Sequence, residues 1–125
     1  MFLDCWAEPG FHRFWRVWNP LYGYVLFRLY RKLGGARRRF PLTLLVFTLC
    51  GLLSHDLPAS LLAGRPLVTC TASFFLWGVL VALARLLDRP LAFATWPGAL
   101  HVALNLALVV GGLLSGVAVQ AWLLA

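Results

Sequence analysis

Three long apolar segments, at about residues 40–56, 67–87 and 98–124, constrain this chain more than any other feature. Crossing the hydrocarbon core takes roughly 20 apolar residues as a helix, and the first segment is slightly shorter than that. Hydrophobic residues make up 62% of the sequence and charged residues only 12%, whereas soluble domains carry about 25% charged residues. A soluble domain this small could not bury so much apolar surface. The sequence therefore predicts a single-domain, all-α integral membrane protein, with interfacial amphipathic helices over residues 1–39 and about three transmembrane helices over residues 40–125.

The basic N-terminal segment is expected to lie at the membrane interface. Eight of the eleven Lys and Arg residues fall between Arg13 and Arg39. Helically spaced aromatic residues alternate with arginines over residues 11–18, which predicts a helix with its rings at headgroup level. A second, basic amphipathic helix is predicted over residues 21–33. The positive-inside rule assigns this segment to the cytoplasm, as in a bacterial inner membrane protein, with membrane lipids as partners. Nucleic acid is not an expected partner, because nucleic-acid domains are not built on apolar helices.

Several classes of function find no support in the motifs of the chain. Cys5, Cys50 and Cys70 have neither CxxC nor metal-like spacing, so no metal site and no disulfide framework is predicted. The first ten residues lack the basic and apolar regions of a signal peptide. No GxSxG, Walker loop, HExxH or GxGxxG motif occurs, so hydrolase, NTPase and zinc-protease functions are not indicated. No tightly bound cofactor is expected.

His55 is the leading candidate for chemistry. It follows an apolar run, and an ionisable residue at membrane depth indicates function because it is costly to keep there. Neutral imidazole is also the natural general base near neutral pH. The alternative is a residue at the end of the span, wetted at the far interface beside Asp56 and Pro58, and the residues alone leave both interpretations open.

Two further sets of residues at the N-terminal end carry a functional and a structural interpretation. Asn19 lies in a Trp-Asn-Pro corner, where its amide could donate to a carbonyl oxygen as an oxyanion stabiliser does. Asn before Pro is also a routine turn former. Arg28 and Arg31 lie on one side of the second helix and could contact the phosphates of a nucleotide-bearing donor such as coenzyme A. Topology and lipid anchoring would explain the same basic residues without a ligand.

The third apolar segment carries the remaining polar candidates. His101 and Asn105 lie one helical turn apart on a face that should point away from lipid. They either line the same cavity as His55 or make interhelical hydrogen bonds without catalysis. Gly112 and Gly116 form a GxxxG pattern, which permits close approach of helix backbones but also occurs by chance in apolar helices.

Residues 11–57 resemble the membrane-bound O-acyltransferase family. FHRFWRVWNPLYGYVLFRLYRKLGG is similar to the FWRRW-(N/H) region, which leads into an amphipathic segment ending in a leucine-glycine-glycine turn. LTLLVFTLCGLLSHD resembles the following helix, which carries the family histidine in a GLWHG- or SxxxHE-like setting. Both motifs occur in the family order.

The resemblance implies transfer of an acyl group from an acyl-thioester, usually acyl-coenzyme A as co-substrate, to a hydroxyl acceptor. His55 matches the histidine that acts as general base on that hydroxyl, and Asn19 matches the position that orients the acyl donor. The implied fold is a helical core with a cytosolic funnel and a tunnel. Three spans are too few to enclose a tunnel alone, so we expect a homo-oligomer or a partner membrane subunit. The alternative is a non-catalytic subunit or scaffold that retains part of the acyltransferase core.

Overall fold

The computed structural model of the chain describes residues 4–18, 20–33 and 38–125, and every regular element within these ranges is helical. The α-helices of these ranges are, in chain order, α1 Phe11–Trp18, α2 Pro20–Leu33, α3 Arg39–Gly51, α4 Leu57–Ala63, α5 Thr69–Leu91 and α6 Gly98–Leu124. Shorter turns accompany them: 3₁₀ turns at Asp4–Ala7 and Phe93–Thr95 and a π-turn at Leu52–Asp56. The predicted all-α class is confirmed.

In the described part of the chain, three helical segments are long and apolar enough to cross a membrane, namely Arg39–Ala63, Thr69–Leu91 and Gly98–Leu124. The prediction of three transmembrane helices is therefore confirmed, and the third has the predicted bounds. Large apolar side chains cover the outside of these segments; Leu62 is 91% exposed and Trp122 is 77% exposed. Such a surface is the one that lipid would cover.

The first span is longer than the predicted segment, which was expected to end at a turn marked by Asp56, Pro58 and Gly64. Instead, α3 continues through the π-turn into α4 and stops at Gly64, whose φ of 64° ends the helix in the left-handed conformation. Asp56 does not need water, because its 3% exposed side chain accepts the backbone N–H groups of Cys70 and Thr71 at the start of α5. Pro58 falls in the first turn of α4, where its missing N–H is tolerated.

The second span also runs further than predicted, to Leu91, although Pro90 was expected to begin a connection. Proline removes only one backbone hydrogen bond this close to the end of a helix. Ala92 then ends α5 with a φ of 45°, and its N–H donates to the carbonyl oxygen of Asp88 at 2.9 Å.

The central helix α5 packs between α3 and α6, and glycines make both contacts close. A Cβ atom added to Gly112 would overlap Trp77, and one added to Gly116 would overlap Ser73. On the other side, a Cβ atom on Gly78 of α5 would lie 3.0 Å from the Cβ of Phe47 in α3. The GxxxG pattern therefore marks real helix packing.

Most aromatic residues of α1 pack into the protein core. Phe11, Phe14 and Trp15 are buried. The ring of Trp15 lies 5.3 Å from that of Phe47 in α3 and 5.1 Å from that of Trp77 in α5, measured between centroids. Helical spacing predicted the helix correctly. It did not show that protein, rather than the lipid interface, covers the aromatic face.

Candidate functional site

His55 lies on the π-turn, within the first span and well before its end at Ala63. Single π-turns inside α-helices occur frequently at functional sites. Gly51, just before the turn, lets α3 approach α5 closely: an added Cβ atom would lie 2.6 Å from the carbonyl oxygen of Cys70. At about 1.5 Å of rise per residue, His55 is roughly 24 Å along the helix from Arg39. The helix continues past His55 to Ala63, so His55 is not the last residue of the span.

The contacts of His55 orient its imidazole. Nδ1 lies 3.5 Å from the carbonyl oxygen of Cys50, and the ring packs 5.2 Å from that of Phe74 between centroids. A proton on Nδ1 would donate to this carbonyl oxygen and leave the lone pair of the ring on Nε2. Because the side chain is exposed, it can take a proton from a group that approaches from outside the chain.

The basic helix α2 forms a groove of about 340 Å³, which is lined by Tyr24, Arg28, Arg31 and Lys32. The guanidinium carbon of Arg28 lies 5.3 Å from the centroid of the Tyr24 ring, within cation–π range. The groove therefore brings together Arg28 and Arg31, as the sequence predicted, and offers several donors to a phosphate oxygen. Asn19 lies outside the described residues.

His101 and Asn105 are both buried and hold the N-terminal segment and the connection after α5. His101 Nε2 donates to the carbonyl oxygen of Phe93 at 2.7 Å. The Nδ2 group of Asn105, which is 0% exposed, donates to the carbonyl oxygens of Trp6 and Glu8, both at 3.0 Å. Each contact gives a backbone carbonyl oxygen a hydrogen-bond donor inside the protein. The structure therefore favours the non-catalytic interpretation of these two residues.

His55 and the pair on α6 lie near opposite ends of α5. His55 contacts Phe74, close to the start of α5, whereas His101 binds Phe93, just after α5 ends. The intervening stretch of α5 is roughly 25 Å long at about 1.5 Å per residue. The structure therefore does not bring His101 or Asn105 into a common site with His55.

A charged cluster joins α1 to the end of α5, and the sequence reasoning did not single it out. His12 Nε2 and Arg13 Nη2 lie 3.4 and 3.6 Å from the same carboxylate oxygen of Asp88. Burial lowers the pKa of His12, Asp88 opposes this effect, and Arg13, Arg85 and Arg16 add to it. One signal was available: the chain has four acidic residues against eleven Lys and Arg, and a scarce carboxylate near a membrane requires a partner.

Within the described ranges, no group of three His, Cys, Asp or Glu side chains is arranged to hold a metal ion. Comparisons with protein families, with curated proteins and with solved structures found no match to this chain. The candidate site therefore rests on the geometry of the described residues, among which His55 has an exposed imidazole inside a helix long enough to span a membrane.

Proposed function

We propose that this protein is an O-acyltransferase of the membrane, which transfers an acyl group from acyl-coenzyme A to a hydroxyl acceptor with His55 as general base. The observation that carries the proposal is the contact of His55 Nδ1 with the carbonyl oxygen of Cys50, 3.5 Å away. In the tautomer whose Nδ1–H donates to that oxygen, the lone pair on Nε2 acts as the base. His55 removes the acceptor proton, and the alkoxide oxygen attacks the thioester carbonyl carbon.

The basic groove of α2 suits the phosphate groups of the acyl-coenzyme A donor. Arg28 and Arg31 line it, and only a short segment separates α2 from Arg39 at the start of the first span. Phosphates of coenzyme A bind in the groove at the membrane face, while the acyl thioester extends along the first span towards His55. Asn19 orients the donor carbonyl, in line with the family resemblance. The basic segment lies in the cytoplasm of a bacterium, and the spans lie in its inner membrane.

A second surface completes the pocket in this proposal. The His55 side chain is exposed on the outside of a single chain, where lipid would otherwise cover it. A second copy or a partner membrane subunit therefore covers the π-turn and excludes lipid from the reacting atoms. The same exposure favours the second candidate function, a non-catalytic subunit that contributes its helices to the core of a larger acyltransferase.

Release of free coenzyme A distinguishes the two candidates. The purified protein in lipid nanodiscs receives acyl-coenzyme A and a panel of alcohols, and free thiol is measured over time. Loss of a general base lowers rates by about 10²–10⁴-fold, so we expect His55→Ala to lose the activity. Leu52→Ala is the matched control, because Leu52 is exposed on the same turn and carries no polar group.

Equal rates for His55→Ala and wild type would exclude the general-base role. No release by the wild type, together with co-purification in a complex of larger native mass that contains a different chain, would support the subunit function instead.

A further inference from the structure

The turn that holds His55 also carries a thiol and a hydroxyl. Cys50 Sγ lies 3.9 Å from Ser54 Oγ, and the imidazole of His55 contacts the backbone carbonyl of Cys50 itself. The spacings of four and five residues, with the π-turn between them, bring all three side chains to one side of the first span. A nucleophile, a hydroxyl that can pass a proton and a base therefore share one turn of helix.

We propose that Cys50 is a covalent acyl acceptor, which takes the acyl group from an acyl thioester to become an S-acylcysteine. The inference rests on the proposed function for the identity of the donor. The Cys50 sulfur forms a bond to the thioester carbonyl carbon, and the bond from that carbon to the donor sulfur breaks. The thiol proton passes to His55, directly or through the hydroxyl of Ser54, and from there to the departing thiolate of coenzyme A. One thioester replaces another, so no further reactant is needed.

The surroundings of Cys50 suit an acyl chain. The Cys50 side chain is partly exposed, and exposed leucines flank it at Leu49 and Leu53. An acyl chain attached to the sulfur would lie along these leucines in the hydrocarbon region. The acyl chain therefore stays in the hydrocarbon region throughout the reaction.

The other two cysteines provide internal comparisons. Cys5 is 1% exposed, and burial raises the pKa of its thiol, which suppresses the reactive thiolate. Cys70 has an exposure similar to that of Cys50, but its backbone N–H binds the Asp56 carboxylate, and among the described residues its thiol has no hydroxyl contact like that of Cys50 with Ser54. Selective acylation of Cys50 would therefore depend on its turn rather than on depth in the membrane.

The test uses the full chain in nanodiscs, incubated with palmitoyl-coenzyme A and no alcohol. Intact mass spectrometry should show one added palmitoyl group that hydroxylamine removes, and peptide mapping should locate it at Cys50. Cys50→Ala should lose the adduct, and Cys70→Ala, the matched control, should keep it. We expect His55→Ala to form the adduct at least tenfold more slowly.

An adduct shared equally between Cys50 and Cys70, or one that forms as fast in His55→Ala, would overturn the proposal. Release of coenzyme A with alcohols but no adduct would also overturn it and would leave the proposed function standing. An adduct at Cys50 without transfer to any alcohol would support the proposal and count against the acyltransferase function. If neither an adduct nor release of coenzyme A is observed, both the proposal and the proposed function are contradicted.

Discussion

Close packing of α6 on α5 should make Gly112 intolerant of even one methyl group. A Cβ atom at this position would lie 2.6 Å from Cδ1 and 2.7 Å from Cε2 of Trp77, whereas carbon atoms in contact stay about 3.5–4.0 Å apart. The indole cannot easily move away, because the rings of Trp15 and Phe74 lie 5.1 and 5.0 Å from it. Its Nε1 also donates to the carbonyl oxygen of Leu108 at 3.2 Å.

The expected loss of stability for Gly112→Ala follows from these contacts. Overpacking a close-packed core by a methylene group costs about 1–3 kcal/mol, and a hydrogen bond between membrane helices contributes about 0.6 kcal/mol on average. The higher helix propensity of alanine offsets about 1 kcal/mol of this cost, so we expect the free energy of unfolding to fall by about 1–2.5 kcal/mol if the indole is displaced. Reversible unfolding in mixed detergent micelles measures this quantity.

Gly111→Ala is the matched control, since an added Cβ atom there would meet nothing within 4 Å. The two variants change neighbouring residues of one helix in the same way, and alanine favours a helix over glycine by about 1 kcal/mol. Gly111→Ala should therefore unfold at the wild-type denaturant concentration or slightly above it. If both variants lose the same stability, helix propensity rather than contact with Trp77 governs this position.

Three other substitutions test the remaining polar contacts. Asp56→Ala removes the acceptor for two buried amides at the start of α5 and should destabilise the protein by about 1–3 kcal/mol in the same unfolding assay, with Asp56→Asn losing less. Asn105→Leu leaves two buried carbonyls of the N-terminal segment unpaired, so limited proteolysis should cleave that segment faster than in wild type, and unchanged cleavage would contradict this. Burial lowers the pKa of His12 from its ordinary value of 6.5. Folding therefore disfavours the protonated form of His12. The protein should lose stability as the pH falls from about 6.5 through the lower pKa of the folded state. His12→Gln should flatten that dependence, measured by unfolding between pH 7.5 and 5 (roughly the range over which histidine titrates).

The helices that the sequence predicted best are those whose ends depend on local chemistry. The bounds of the third span follow from Pro97 and from an uninterrupted apolar run. The first two spans run further than predicted, because Asp56 and Pro90 were expected to end them. Asp56 is satisfied by amides of the next helix, and α5 includes Pro90 in its last turn and ends at Ala92 in the left-handed conformation. Partners of this kind are set by tertiary structure, and local patterns do not reveal them.

The sequence likewise predicted some features of the candidate site and missed others. The spacing of Arg28 and Arg31 predicted that they share one side of α2, where both line one groove. The depth of His55 in the membrane stays a prediction. The pairing of His12 with Asp88 joins residues far apart in sequence, and periodicity carries no information about such pairs. Spacing likewise indicated that Asn105 faces inward but could not show that it binds backbone rather than lining a cavity.

The hydrogen bonds of Asn105 have a consequence for the order in which the protein is made. They tie α6 to the carbonyl oxygens of Trp6 and Glu8, which lie 99 and 97 residues earlier in the chain. During synthesis, Trp6 and Glu8 therefore leave the ribosome long before Asn105. The turn at Asp4–Ala7 and the residues after it must wait for these hydrogen bonds until α6 arrives.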